Sequence, residues 1–150
     1  MDIFSAYGTD LNAEENGREF ENGDAVFVIA RSGNRQYSAK LSAQYASHKH
    51  TLDQKDTPEA VEAANARSEK IMVSVMSTSI LLGWSGNVTY KGQPLAYSTF
   101  NSALLLGHKD FRNWVNGKSD DFKNYLESVK EEDEKNSVTS TTGNLPGVAA

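Results

Sequence analysis

The chain has 150 residues, 38% of them hydrophobic and 23% charged, with a net charge of −5 and no cysteine. This composition fits one modest soluble core, and the missing thiols exclude disulfides, a thiol nucleophile and cysteine-ligated zinc or iron–sulfur centres. Residues 1–24 carry −6, residues 25–119 carry +5 and residues 120–150 carry −4; the bases form no stripe between these acidic ends, so nucleic acid is not an expected partner.

The acidic ends and mildly basic middle read in two ways: as solvated faces, or as a means of self-assembly or partner docking. The opening "MDIFSAYGTD" lacks a basic region followed by an apolar run, so no signal peptide is expected. Residues 1–15 read as a loosely ordered lead-in, with Ile3 and Phe4 as docking points. "GREFENGDAVFVIARSGN" reads as a β-hairpin, because Asn22-Gly23 supplies the residues a tight turn wants. Val26 to Ala30 is apolar on both faces, so that strand should be covered.

From Arg35 the period becomes helical, with Tyr37, Leu41 and Tyr45 on one stripe. "SHKHTLDQKD" reads as a polar link. The strongest helix signal follows, with Thr57 as cap, Pro58 at the first position and Glu59 in the first turn. Val61, Ala64, Ile71, Val75, Ile80 and Leu82 carry that helix forward, and Gly83 is its expected stop. The apolar-rich segment Ile71 to Trp84 is well short of the roughly 20 residues that span a bilayer, so no membrane role is expected.

Ser98 reads as the cap of a short helix closed by Gly107. Asp110 reads as the cap of a last helical stretch carrying Phe111, Trp114, Val115, Phe122, Tyr125, Leu126 and Val129, with Gly117 as a weak point. The expected fold is mainly α with a small N-terminal β-hairpin, an α+β arrangement of about four helices. Its expected layout is a single globular domain over residues 1–135, with the hairpin at about 16–31 and helices after about 35. A flexible tail is expected over 136–150, which is small, polar and without period.

No constellation for chemistry emerges. His48 and His50 are two apart, which on a helix sets them on different faces, whereas a metal site wants i, i+3 or i, i+4. No nucleophile elbow, zinc-protease helix or phosphate loop occurs. The expectation is a non-enzyme with no catalytic residues, no cofactor and no metal. The stretch "ILLGWSGNVTYKGQPLAYS", Ile80 to Ser98, then raises its own question. It is either a binding site or a joint between two helices, and its residue types favour the joint. The aromatic residues likewise read either as core or as interface anchors.

The order of these features resembles the tail assembly chaperones of long-tailed, siphovirus-type bacteriophages. The resemblance runs from about Phe20 to Asn136. It rests on Gly83-Trp84 with Val88 just after, on Gly92-Gln93-Pro94-Leu95 leading to Tyr97-Ser98, and on Lys135-Asn136. It implies a protein that binds the tape measure protein, keeps it soluble and helps recruit tail tube subunits, acting in the host cytoplasm and leaving before the virion matures. It also implies self-association, and a longer form made by ribosomal frameshifting near the end of the reading frame. The structural and interaction candidates are Gly83, Trp84, Val88, Pro94, Tyr97, Ser98, Trp114, Phe122 and Tyr125. The alternative is a minor structural tail or connector protein retained in the virion.

Overall fold

The structure, a computed structural model, describes residues 1–129. The expected tail over 136–150, and the Lys135-Asn136 pair, lie outside the described residues. The chain opens with two short helices, α1 (Ile3–Tyr7) and α2 (Leu11–Asn16). Asp2 accepts a hydrogen bond from the Phe4 amide, and Asp10 accepts from Asn12 and Ala13. Each aspartate thereby satisfies N–H groups that a first helical turn leaves without partners. The lead-in over 1–15 is therefore mostly helical rather than loosely ordered, and its Ile3 and Phe4 stay exposed instead of docking on the rest of the chain.

Strands β1 (Arg18–Asn22) and β2 (Ala25–Ile29) pair antiparallel, and Gly23 takes φ 63 in the turn between them. A third strand, β3 (Leu81–Gly86), pairs antiparallel with the other edge of β2, giving the order β1-β2-β3. A second sheet joins β4 (Thr89–Tyr90) to β5 (Gln93–Pro94). These strands correct the expected fold: helices still make up most of the described residues, but the β structure is not a small N-terminal hairpin, because the hairpin is two thirds of a three-stranded sheet and a further two-stranded sheet follows. The cause lies in β2. It buries Ala25, Phe27 and Ile29 on alternate positions, and a strand so deeply placed needs ladder partners on both edges.

The helical reading of Ile80 to Gly83 failed for a specific reason. The register steps from Val28↔Gly83 to Ile29↔Leu81, which leaves Leu82 as the extra residue of a β-bulge. The bulge puts Leu81 and Trp84, three residues apart, on the same side as Ile29 and Phe27. A spacing of three is a helical signature in an unbroken pattern. Gly83 therefore lies within a strand opposite Val28 and stops no helix.

The long helix α5 (Pro58–Ser79) starts as the sequence indicates, with the Thr57 hydroxyl accepting from the Ala60 amide at 3.0 Å. It is preceded by α3 (Arg35–Ser47) and by α4 (Lys49–Asp53), a helical turn inside the segment expected to be a polar link. Ser98 caps α6 (Thr99–Leu106), accepting from Asn101, and Gly107 ends it. Helix α7 (Lys109–Asp120) begins after His108, not at Asp110; Asp110 lies in the first turn, and Gly117 is carried within the helix. Phe122 and Tyr125 belong to a 3-10 turn, Phe122–Tyr125, that follows.

The core gathers the inner face of the sheet against α5, α6 and α7 through Phe27, Ile29, Met76, Ile80, Leu81, Leu106 and Val115. Buried polar side chains bind the ends of these elements together. Asn34 donates to the carbonyls of Arg31 (2.8 Å) and Ser79 (3.0 Å) and accepts from the Tyr37 amide, locking the start of α3 to the end of α5. Ser102 donates to the Leu81 carbonyl at 3.0 Å, Ser119 to Ala30 at 2.8 Å, and Tyr125 to Ile29 at 2.8 Å. Among the described residues no buried side-chain nitrogen or oxygen is left without a partner, as a specified core requires.

Candidate functional site

The segment that resembles a helix–helix joint builds an aromatic face instead. β3 places Trp84 opposite Phe27, with ring centroids 6.0 Å apart. Just beyond, the chain tightens into the β4–β5 hairpin, where Lys91 and Gly92 both take positive φ (51 and 82). Two such residues in sequence form the turn that suits the twist of a two-residue hairpin. The Trp84 indole N–H donates to the Leu95 carbonyl at 2.8 Å, and the Leu95 amide donates to Val88 at 2.9 Å. The indole thus closes the loop from Asn87 to Leu95 on itself.

A continuous run of ring contacts crosses this face. Tyr97 meets Trp84 edge-on at 5.1 Å, and Phe27 contacts Phe111 at 5.3 Å and Trp114 at 5.7 Å. Phe111 and Trp114 stack on each other at 5.9 Å. These edge and offset arrangements suit the ring quadrupoles, so they add specificity to ordinary apolar packing. Beside them a groove of about 380 Å³ is lined by Phe27, Val88, Tyr90, Leu105, His108 and Phe111, with Asp24 also in its wall. Tyr90 and His108 share a hydrogen bond of 2.7 Å across the groove rim. The size and apolar lining suit capture of a partner's side chain.

The expected site residues divide accordingly. Trp84, Val88, Tyr97 and Trp114 come together on or beside this face. Gly83 sits in β3 against the Val28 side chain, Pro94 is exposed in β5, and Ser98 is a helix cap. Phe122 and Tyr125 lie elsewhere, under the N-terminal segment. Phe122 stacks on Tyr7 at 5.6 Å, and Tyr125 is fully buried beside Phe20. Burial pushes the Tyr125 hydroxyl well above its usual pKa, and the Tyr37 hydroxyl upward as well, because the charged phenolate is penalised away from water. Sequence reading missed Phe27, Tyr90 and His108 as members of the groove. The Lys91-Gly92 pair between Thr89-Tyr90 and Gln93-Pro94 was the available signal for the hairpin that brings Tyr90 there.

The same N-terminal segment exposes apolar side chains of its own. Ile3 is 62% exposed, Phe4 64% and Leu11 73%, and α1 contributes no buried residue. It is nevertheless anchored. Arg18 pairs with Asp10 at 3.4 Å, Arg31 pairs with Glu14, and Arg35 pairs with Glu15 at 3.2 Å. The Asp10 amide donates to the Tyr125 carbonyl, and the Glu127 amide donates to Gly8. Among the described residues no group of three or more His, Asp or Glu stands close enough to hold a metal ion, and no helix is long and apolar enough to cross a membrane.

The fold and its surfaces define a small α+β protein with one aromatic face, one apolar groove and one exposed N-terminal strip. The chain belongs to a family of phage-derived proteins described as YdaY prophage protein, whose model matches residues 32–136. The matched residues begin after β2 and take in β3, the hairpin and the helices from α3 onward. This family is a coarser statement than membership among tail assembly chaperones. No curated protein and no solved structure matches the chain.

Proposed function

We propose that this phage protein is a non-enzymatic tail assembly chaperone. It binds the tape measure protein, keeps that client soluble and helps recruit tail tube subunits in the host cytoplasm before leaving the assembly. The observation that carries this reading is the apolar groove between β2, the β4–β5 hairpin and α7, floored by Phe27 and Phe111 and open at its mouth. A groove of this kind takes the apolar side of a partner helix, and Tyr, Trp and Phe are the residues best suited to anchor such contacts. The phage origin of the family and the resemblance of Gly83 to Ser98 support the choice of client.

The test is co-expression with the longest helical protein encoded immediately downstream. The wild-type chain should raise the client's soluble fraction and co-purify with it, and a Val88→Asp variant that melts like wild type should not. Failure of the wild-type chain to co-purify would remove the reading. Recovery of the chain at stoichiometric copy number from finished particles would show a structural tail component instead.

A further inference from the structure

Three asparagines of the described chain stand directly before a glycine: Asn16-Gly17, Asn22-Gly23 and Asn116-Gly117. Glycine has no side chain to shield its main-chain nitrogen, and its backbone rotates freely. In such a pair that nitrogen can reach the side-chain amide carbon of the asparagine and close a five-membered ring. The fold treats the three pairs differently. The Gly17 amide donates to the Ala13 carbonyl at 2.8 Å, and the Asn16 side chain donates to that of Asn12. Gly17 is also packed against the Val28 side chain. Gly117 lies inside α7, where main-chain amides are committed to the helical ladder, and Asn116 is half-buried. Asn22 and Gly23 are both exposed where β1 ends. The Gly23 amide donates to no main-chain carbonyl among the described residues, and the Asn22 side chain has no hydrogen-bond partner among them. The space around Gly23 is open.

We propose that Asn22 is a site of spontaneous deamidation, which chemically ages the groove it lines. Water is the only co-reactant. Hydroxide takes the Gly23 amide proton, and the freed nitrogen attacks Cγ of Asn22. The N–Cγ bond forms, the Cγ–Nδ2 bond breaks, and the side-chain nitrogen leaves as ammonia with a proton from water. Water then opens the resulting succinimide. Cleavage at the side-chain carbonyl leaves an aspartate; cleavage at the main-chain carbonyl leaves an isoaspartate. The sum is amide plus water to carboxylic acid plus ammonia, with no change of oxidation state. Either product adds one negative charge. Asn22 and Asp24 both line the groove beside Phe27, so a second carboxylate joins the same wall. Isoaspartate also lengthens the main chain by one methylene at the Asn22↔Ala25 pair, which closes the β1–β2 hairpin. An older chain therefore carries a more acidic groove and a looser hairpin end. The chemistry is independent of what the groove binds.

The experiment incubates the purified full chain, with no client, in mildly alkaline buffer. Samples taken over days are digested at acidic pH and mapped by mass spectrometry. The peptide holding Asn22 should be the first to gain the mass of amide-to-acid conversion, and isoaspartyl methyltransferase should label part of the product. In the folded chain, Asn16 and Asn116 should convert at least about tenfold more slowly, because their glycine amides react only after local opening. In urea the three should convert at comparable rates, since only the shared Asn-Gly pair then matters. Asn22→Gln should melt like wild type and leave that peptide unchanged, because the longer side chain closes only a less favourable six-membered ring. The isoaspartate form, separated by ion exchange, should exchange its amides faster from Asn22 to Ala25. Conversion of Asn16 or Asn116 as fast as Asn22 in the folded chain would overturn the proposal, as would an Asn22 that converts only in urea. Failure of client binding would leave these results untouched, so the two readings fail separately.

Discussion

Between Leu81 and Tyr97 the chain turns its aromatic side chains toward other rings; between Met1 and Leu11 it turns its large apolar side chains to solvent. Both stretches are rich in such residues, and both are followed by polar, turn-forming sequence. What separates them is the partner within reach. The first lies along β2, whose Phe27 and Ile29 already face the core, so pairing of the backbones brings Trp84 into ring contact. The second lies beside the β1 end of the sheet, the start of α3 and the segment after Asp121, and ion pairs, main-chain hydrogen bonds and the stacking of Tyr7 on Phe122 hold it there while Ile3, Phe4 and Leu11 stay exposed. Apolar composition therefore marks two surfaces of opposite exposure, one packed within the fold and one turned to solvent.

This contrast can be broken by substitution. The largest effect is expected at Phe27→Ala, which removes the ring that touches Trp84, Phe111 and Trp114. It should cost about 3–5 kcal/mol in urea unfolding. A cost similar to that of a surface change would mean that the aromatic face is not part of the core.

Tyr125→Phe should cost about 1–2 kcal/mol, because the Ile29 carbonyl loses its buried donor. It should also change the response to base. The folded-state pKa of Tyr125 is raised, so its contribution is complete below the unfolded value near 10 and is lost as pH rises above it. Wild-type stability should therefore fall between about pH 10 and 11 more steeply than that of the Phe variant. Parallel curves from urea titrations at several pH values would remove burial as the cause of the shift.

Trp84→Phe keeps a ring beside Phe27 and Tyr97 but removes the N–H that closes the loop at Leu95. A loss of about 1 kcal/mol is expected, with faster amide exchange across Asn87 to Leu95. Uniform exchange would show that the indole bond does not hold that loop. Phe4→Ser should be the mildest change, within about 0.5 kcal/mol of wild type by thermal melting. A clear loss of stability there would move the N-terminal strip into the core and erase the contrast.

The two regions also differ in how much of them the sequence reveals. Signals that act within one turn of the chain read correctly: Thr57 and Ser98 as caps, Pro58 at the start of α5, Gly23 in its turn. Asp2 and Asp10 carry the same kind of signal for α1 and α2, but those helices are only five and six residues long and show no apolar period. β3 is a different matter, because Leu82 is bulged and the apolar spacing at Leu81 and Trp84 imitates a helix. Half of the candidate site was legible for the same reason. Trp84, Val88 and Tyr97 announce themselves as an aromatic, glycine-punctuated stretch, while Phe27, Tyr90, His108 and Phe111 join them only through strand pairing and helix docking.

The sequence by itself determined where α3, α5 and α6 begin, where the first hairpin reverses, how charge divides along its length, and that cysteine chemistry is absent. These follow from short-range sterics, hydrogen bonding near helix ends and simple composition. The tertiary structure alone decided that Leu81 to Gly86 is a strand, that Tyr125 is buried while Phe4 is exposed, and that a groove forms beside Phe27. Each of these depends on which distant segment satisfies a backbone edge or covers an apolar ring, and that choice is made only when the whole core assembles.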